Sequence, residues 1–196
     1  MSVAFQIPMT LPEFLNWEQR QELRWEFNGF EPVAMTGGTD AHEGIGTRLR
    51  TLLDTQLIGK RCRVRGPTMK IEVMGRIRYP DAVVSCTPGP RDATIAREPV
   101  VVFEVLSPST SRTDRIEKLR EYRATESIRR YVILEADSIA ATVFVRREEN
   151  WIASPLIAGD TLDMPEIGVT IPLSDIYAEI ELAPPEQGDD TPPGPR

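Results

Sequence analysis

At 196 residues, with 40% hydrophobic and 27% charged side chains, the chain has the size and balance of one soluble globular domain; no stretch approaches the roughly 18 apolar residues of a membrane span, and residues 1–10 lack the pattern of a secretory signal, so a cytoplasmic protein is expected. A single histidine, His42, and two cysteines outside any CxxC pattern, Cys62 and Cys86, exclude the common zinc sites, so any metal is held by oxygen, as magnesium, manganese or calcium would be. The net charge of −7 weighs against nucleic acid as a partner, because Lys and Arg contacts to phosphate supply most non-specific affinity.

Thr10 with Glu13 three residues on has capping-box spacing and opens a short helix carrying Phe14, Leu15 and Trp17 inward. Residues 24–27 and 30–35 flank Asn28-Gly29, a strong hairpin signal because both central positions of that tight turn need positive φ. Past Gly37-Gly38, Asp40 caps a helix in which Ile45, Leu49, Leu52, Leu53 and Leu57 recur at helical spacing, ending near Gly59. Residues 62–73 and 78–85 predict a second hairpin around Met74-Gly75-Arg76, and the two thiols are expected as small core residues rather than a disulfide.

A loop rich in Pro, Gly and Arg covers residues 86–98. Residues 100–106 are an apolar run broken only by Glu104, the pattern of a central strand buried on both faces. After Ser107-Pro108-Ser109, residues 114–124 set Ile116, Leu119 and Tyr122 or Arg123 on one side, so a helix packs back over that strand. Residues 131–134 and 141–145 are further strands. From residue 183 five prolines with Gly and Asp predict a disordered tail, leaving 1–182 as the domain.

Charge is unevenly spread. Residues 60–78 hold seven basic side chains against the single acid Glu72, and residues 112–134 hold seven against four, whereas residues 135–196 carry thirteen acids and three arginines. Either basic stretch alone is most simply a solvated face; two of them flanking the acids below suit an anionic substrate.

Glu104 is the most informative position. Alternation places it with Val100, Val102 and Leu106, where an unpaired carboxylate would cost several kcal/mol. An internal ion pair with one of twenty arginines would compensate it; so would a divalent cation, which needs a second carboxylate. Asp81 offers one, because Pro80 holds the preceding residue extended and Asp81 opens another apolar strand, with the Val105 carbonyl as a third oxygen. Lys118, one of three lysines, sits near the start of the following helix, whence a long side chain could reach both acids; a surface lysine in the charge pattern of Glu117 and Glu121 is the plainer alternative.

These residues resemble the PD-(D/E)XK nuclease superfamily and, more closely, a large bacterial family of restriction-endonuclease-like proteins, over roughly residues 9–182. The carriers are Met9-Thr10-Leu11-Pro12-Glu13-Phe14, Trp25-Glu26 with Asn28-Gly29, His42, Tyr79-Pro80-Asp81, and Phe103-Glu104-Val105-Leu106-Ser107-Pro108-Ser109 followed by Asp114, Lys118 and Tyr122. The resemblance implies a metal-dependent nuclease with Asp81 and Glu104 as metal ligands and Lys118 as catalytic lysine. The superfamily lysine lies two residues after the acid, where this chain has Leu106, so here it must come from the helix. Glu26 and His42 match family positions that line the site, although Glu26 could simply pair with Arg24 or Arg48, and Tyr122 shares the face of Lys118.

The expected fold is an α/β or α+β domain, a mixed sheet flanked by helices in restriction-endonuclease-like order. The expected activity is Mg²⁺- or Mn²⁺-dependent hydrolysis of phosphodiester bonds in DNA, with basic residues of 61–78 and 112–123 on the backbone, no membrane partner, and a homodimer among the arrangements open to it. A nuclease-like domain that binds nucleic acid or a protein without cutting is the alternative, and a hydrolase of small phosphate esters ranks last.

Overall fold

The structure is a computed structural model that describes residues 8–35, 37–106 and 113–182. The 107–109 turn, the caps expected before the third helix, and the tail lie outside the described residues. Helix α1 (Leu11–Glu18) opens with the capping box expected of Thr10 and Glu13 and packs Phe14 into the core. Strands β1 (Trp25–Phe27) and β2 (Pro32–Ala34) pair antiparallel. Their connection differs from the tight turn expected. It spans residues 28–31, only Gly29 has positive φ (94°), and the Asn28 side chain accepts from the Phe30 and Glu31 N–H groups. That side-chain-stabilised loop relieves Asn28 of positive φ.

Helix α2 (Asp40–Leu57) is capped by Thr39, one residue before the cap expected, and buries Ile45, Leu49, Leu53 and Leu57. The segment expected as one long hairpin is divided between two sheets. Strand β3 (Arg63–Arg65) ends before Gly66-Pro67; β4 (Ile71–Val73) and β5 (Arg76–Arg78) form a ribbon; β6 (Ala82–Ser85) starts after Pro80. Proline cannot donate to a ladder, and the chain changes sheet at both prolines. The two-residue turn with positive φ at both central positions occurs here, at Met74 (φ 52°) and Gly75 (φ 71°).

A four-stranded sheet has the order β2-β1-β5-β4. The six-stranded sheet runs β10-β9-β8-β7-β6-β3, adding β7 (Pro99–Val105), β8 (Arg130–Leu134), β9 (Ala140–Arg147) and β10 (Asn150–Ile157). Within this sheet β7 and β8 pair parallel, joined by a crossover that includes a π-helical turn (Thr113–Lys118) running into α3 (Leu119–Ala124). Strands β11 (Thr161–Met164) and β12 (Val169–Pro172) and helix α4 (Leu173–Ile176) complete the chain. This is the mixed sheet with flanking helices that the sequence predicts.

The six-stranded sheet separates two apolar layers. Ala82, Val84, Val101, Phe103 and Val105 pack with α2, whereas Val83, Val102 and Leu106 pack with Tyr122, Tyr131 and Ile133 on the α3 side. Cys62 and Cys86 correct the expectation of free thiols: they form a disulfide. The antiparallel register that sets Arg63 opposite Ser85 brings them together one step further on.

Candidate active site

The β6–β7 register determines where the two acids stand. Ala82 faces Phe103 and Val83 faces Val102; continued one residue past the end of this ladder, the same register would set Asp81 opposite Glu104. Facing residues of an antiparallel pair have Cβ atoms about 4.5–5.5 Å apart. Pro80, just before β6, has no N–H to give a neighbouring strand, and the Val105 N–H donates to Asp81 Oδ2 at 2.7 Å. The other Asp81 oxygen accepts from His42 Nε2 at 2.9 Å, at the start of α2.

Glu104 is 4% exposed and Lys118 6%. The Lys118 Nζ lies 2.9 Å from Glu104 Oε1 and 3.7 Å from Glu26 Oε1. A surface lysine is therefore excluded, and burial of an ammonium between two carboxylates offsets a desolvation cost that none of the three could bear alone. Tyr122, one helical turn after Lys118, donates to Glu104 Oε1 at 2.7 Å rather than touching the lysine. Burial, followed by the Glu104 charge, pushes the Tyr122 phenol well above its ordinary range, so it stays a hydrogen-bond donor at neutral pH.

Behind this first layer lies an arginine that sequence reasoning missed. Arg78, 2% exposed, donates to both oxygens of Glu121 at 2.7 and 2.6 Å and to Glu26 Oε2 at 2.9 Å. Glu26 therefore pairs with Arg78 and Lys118, not with Arg24 or Arg48. Glu121 lies three residues after Lys118, so the Arg78 fork fastens to β5 the helix that carries the lysine. A separate buried cluster, Lys70 and Tyr79 on Glu18, ties α1 to the same region.

For Glu26, burial raises the pKa, but the charges of Lys118 and Arg78 and the Tyr79 N–H outweigh it and leave the carboxyl below its ordinary value of 4.5. A lowered pKa in the folded state contributes stability that is present above the unfolded value and disappears as pH falls through the folded one. Thermal melts should therefore lose stability on acidification below about pH 4.5, and the loss should be smaller in Glu26→Gln. An equal acid dependence in both proteins would contradict this.

Among the described residues no group of three or more Asp, Glu, His or Cys side chains is placed to hold a metal. The expected set is of another kind, two carboxylates and a backbone carbonyl. Its chemistry fits a hard divalent cation: every donor is oxygen and two carry charge. The Lys118 ammonium is already close enough to balance the carboxylates.

Comparison with known proteins agrees with this architecture. The model of the Uma2 family, described as "Putative restriction endonuclease", matches residues 11–174. An uncharacterised protein of Synechocystis sp. is 32% identical over 169 residues, covering 84% of this chain and 89% of that one. The crystal structure of a nuclease of DUF820 from Anabaena variabilis, itself titled putative, superposes with a TM-score of 0.69 at 18% identity, covering 87% of this chain and 98% of the other, a likeness of fold. With the family model spanning most of the chain and the Synechocystis relative matched over nearly its whole length, the protein belongs to the Uma2 family of restriction-endonuclease-like proteins.

Proposed function

We propose that this protein is a divalent-metal-dependent endonuclease hydrolysing phosphodiester bonds in DNA, with Mg²⁺ or Mn²⁺ held by Asp81, Glu104 and the Val105 carbonyl. The observations that carry the reading are the Lys118 Nζ 2.9 Å from Glu104 Oε1 and the Val105 N–H bonded at 2.7 Å to Asp81 Oδ2, which ties the Asp81 carboxylate to the residue next to Glu104. When bound, the cation would supply Lewis-acid polarisation of the phosphate.

The chain's own residues have separable tasks. His42 and the Val105 N–H fix both oxygens of Asp81, so its carboxylate is held in one orientation. Tyr122 fixes Glu104 by donating to Oε1. Lys118 offers a mobile positive charge for the extra negative charge that phosphoryl transfer develops, and Glu26 with Glu104 holds it close until substrate arrives. The second reading is a domain that binds nucleic acid or protein without cutting, and the net charge of −7 favours its protein-binding form.

Supercoiled plasmid incubated with the protein and Mg²⁺ or Mn²⁺ separates the two. Nicking by the wild type, with at least a hundredfold loss in Asp81→Asn, is the expected result, the scale of losing an electrostatic catalytic contact being about 10²–10³. Equal nicking by both proteins would overturn the assignment. Metal-independent binding with no cutting would favour the second reading.

A further inference from the structure

Charge on this acidic protein is concentrated where β3 meets the 86–98 loop. Arg61, Arg63, Arg65, Arg91 and Arg97 line one groove of about 650 Å³, and no carboxylate joins its lining. All five are exposed, and among the described residues none is ion-paired. Arg63 and Arg65 are held instead by backbone carbonyls, of Cys62 at 2.8 Å and Val64 at 2.9 Å. The carboxylate nearest in sequence to Arg97, Glu98, is engaged by the Thr87 hydroxyl. Five like charges gathered with no counter-charge among the described residues repel one another, a cost that a bound anion relieves.

The groove also has a fixed relation to the two acids. Val64, between Arg63 and Arg65, packs into the α2-side core, so the two arginines point to the opposite side of the sheet, the one that carries Glu104. Arg65 faces Val83 and Arg63 faces Ser85. At about 3.4 Å per residue and 4.8 Å between strands, these positions lie roughly 8 and 14 Å from Asp81. A nucleic-acid strand carries one phosphate per about 3.4 Å of duplex axis, so the groove covers the next few phosphates beyond one placed at the acids. The Cys62–Cys86 disulfide joins its two walls.

We infer that this arginine groove seats the sugar-phosphate backbone flanking the cleaved bond, an inference that rests on the nuclease reading above and names where its substrate lies. Arg91 and Arg97, on the loop, supply the outer wall and act in binding, not in the chemical step.

The test is a titration of the full chain with a short fluorescent DNA duplex in EDTA, read by anisotropy over a series of salt concentrations. Each guanidinium–phosphate contact contributes about 0.9 to the slope of log K against log salt. Arg91→Gln/Arg97→Gln should therefore bind more weakly with a slope smaller by about 1.8, while Arg20→Gln/Arg147→Gln, a pair of exposed arginines elsewhere, keeps the wild-type slope. Matched melting temperatures confirm that all three proteins are folded. An unchanged slope in the groove pair, an equal fall in both pairs, or no binding by the wild type would overturn the inference. Loss of the slope in the groove pair alone supports it even if the plasmid assay gives no Asp81-dependent cutting, so the two readings fail separately.

Discussion

Lys118→Met is expected to lower phosphodiester cleavage by about 10²- to 10³-fold and to destabilise the fold at pH 7 by about 3–5 kcal/mol. Both effects follow from one position. The ammonium is 2.9 Å from Glu104 and 3.7 Å from Glu26, and all three side chains are largely withdrawn from water. Methionine fills nearly the same volume, so the change removes charge rather than packing. Without the ammonium, Glu104 loses the cation 2.9 Å away that offsets the cost of its burial. Lys118→Met/Glu104→Gln should recover much of the stability and none of the activity. Chemical denaturation beside the plasmid assay measures both. A variant that loses activity with unchanged stability would mean that the buried carboxylates do not depend on Lys118.

Arg78→Met is expected to cost a further kind of stability, again about 3–5 kcal/mol, because it takes from Glu121 and Glu26 their nearest cation and leaves them Arg76 at 3.5 Å and Lys118 at 3.7 Å. The fork with both Glu121 oxygens and the single bond to Glu26 make this guanidinium the junction of β1, β5 and α3. The same carboxylates hold its pKa well above the usual arginine value, although burial alone would lower it. Lysine cannot reproduce a planar fork, so Arg78→Lys should resemble the methionine variant. The double change Arg78→Met/Glu121→Leu should be less destabilising than the sum of the single changes by about 1–3 kcal/mol, because each change removes the partner that the other would leave unpaired. Strict additivity in urea denaturation would contradict the coupling. Since Glu121 and Lys118 share a helix, the Arg78 variants that fold should show reduced turnover as well, through displacement of the lysine rather than loss of a group that touches substrate.

Glu104 and Asp81 stand out in the sequence because both depend on local patterning: an apolar run interrupted once, at Glu104, and a strand preceded by Pro80-Asp81. Helical spacing likewise placed Lys118 and Tyr122 on one side of α3. Arg78 was not legible. Its strand, Arg76-Ile77-Arg78, alternates as a half-solvated strand should, and its partners lie 43 and 52 residues away in the chain. Only the packing of one sheet against the helix brings them together. The signal available was the helix face itself, where Glu121 stands with Lys118 and Tyr122. The disulfide was obscured for a similar reason: its pairing depends on the chain leaving one sheet for the other at Gly66-Pro67, which reading residues 62–73 as one strand conceals. The strands and helix beyond residue 147 escaped because β10 is almost wholly exposed, which removes the hydrophobic alternation by which strands are recognised.

That exposed β10 has one more bearing on how the molecule behaves among copies of itself. It ends the six-stranded sheet, and Pro155 lies in its middle, opposite Thr142, with the pairing to β9 continuing on both sides. The missing amide donor therefore falls on the outer margin, where it interrupts the template that a neighbouring chain would need for strand addition. At the opposite margin, β3 presents alternating guanidinium groups that would repel their own counterparts. Both open ends of the six-stranded sheet therefore resist edge-to-edge growth.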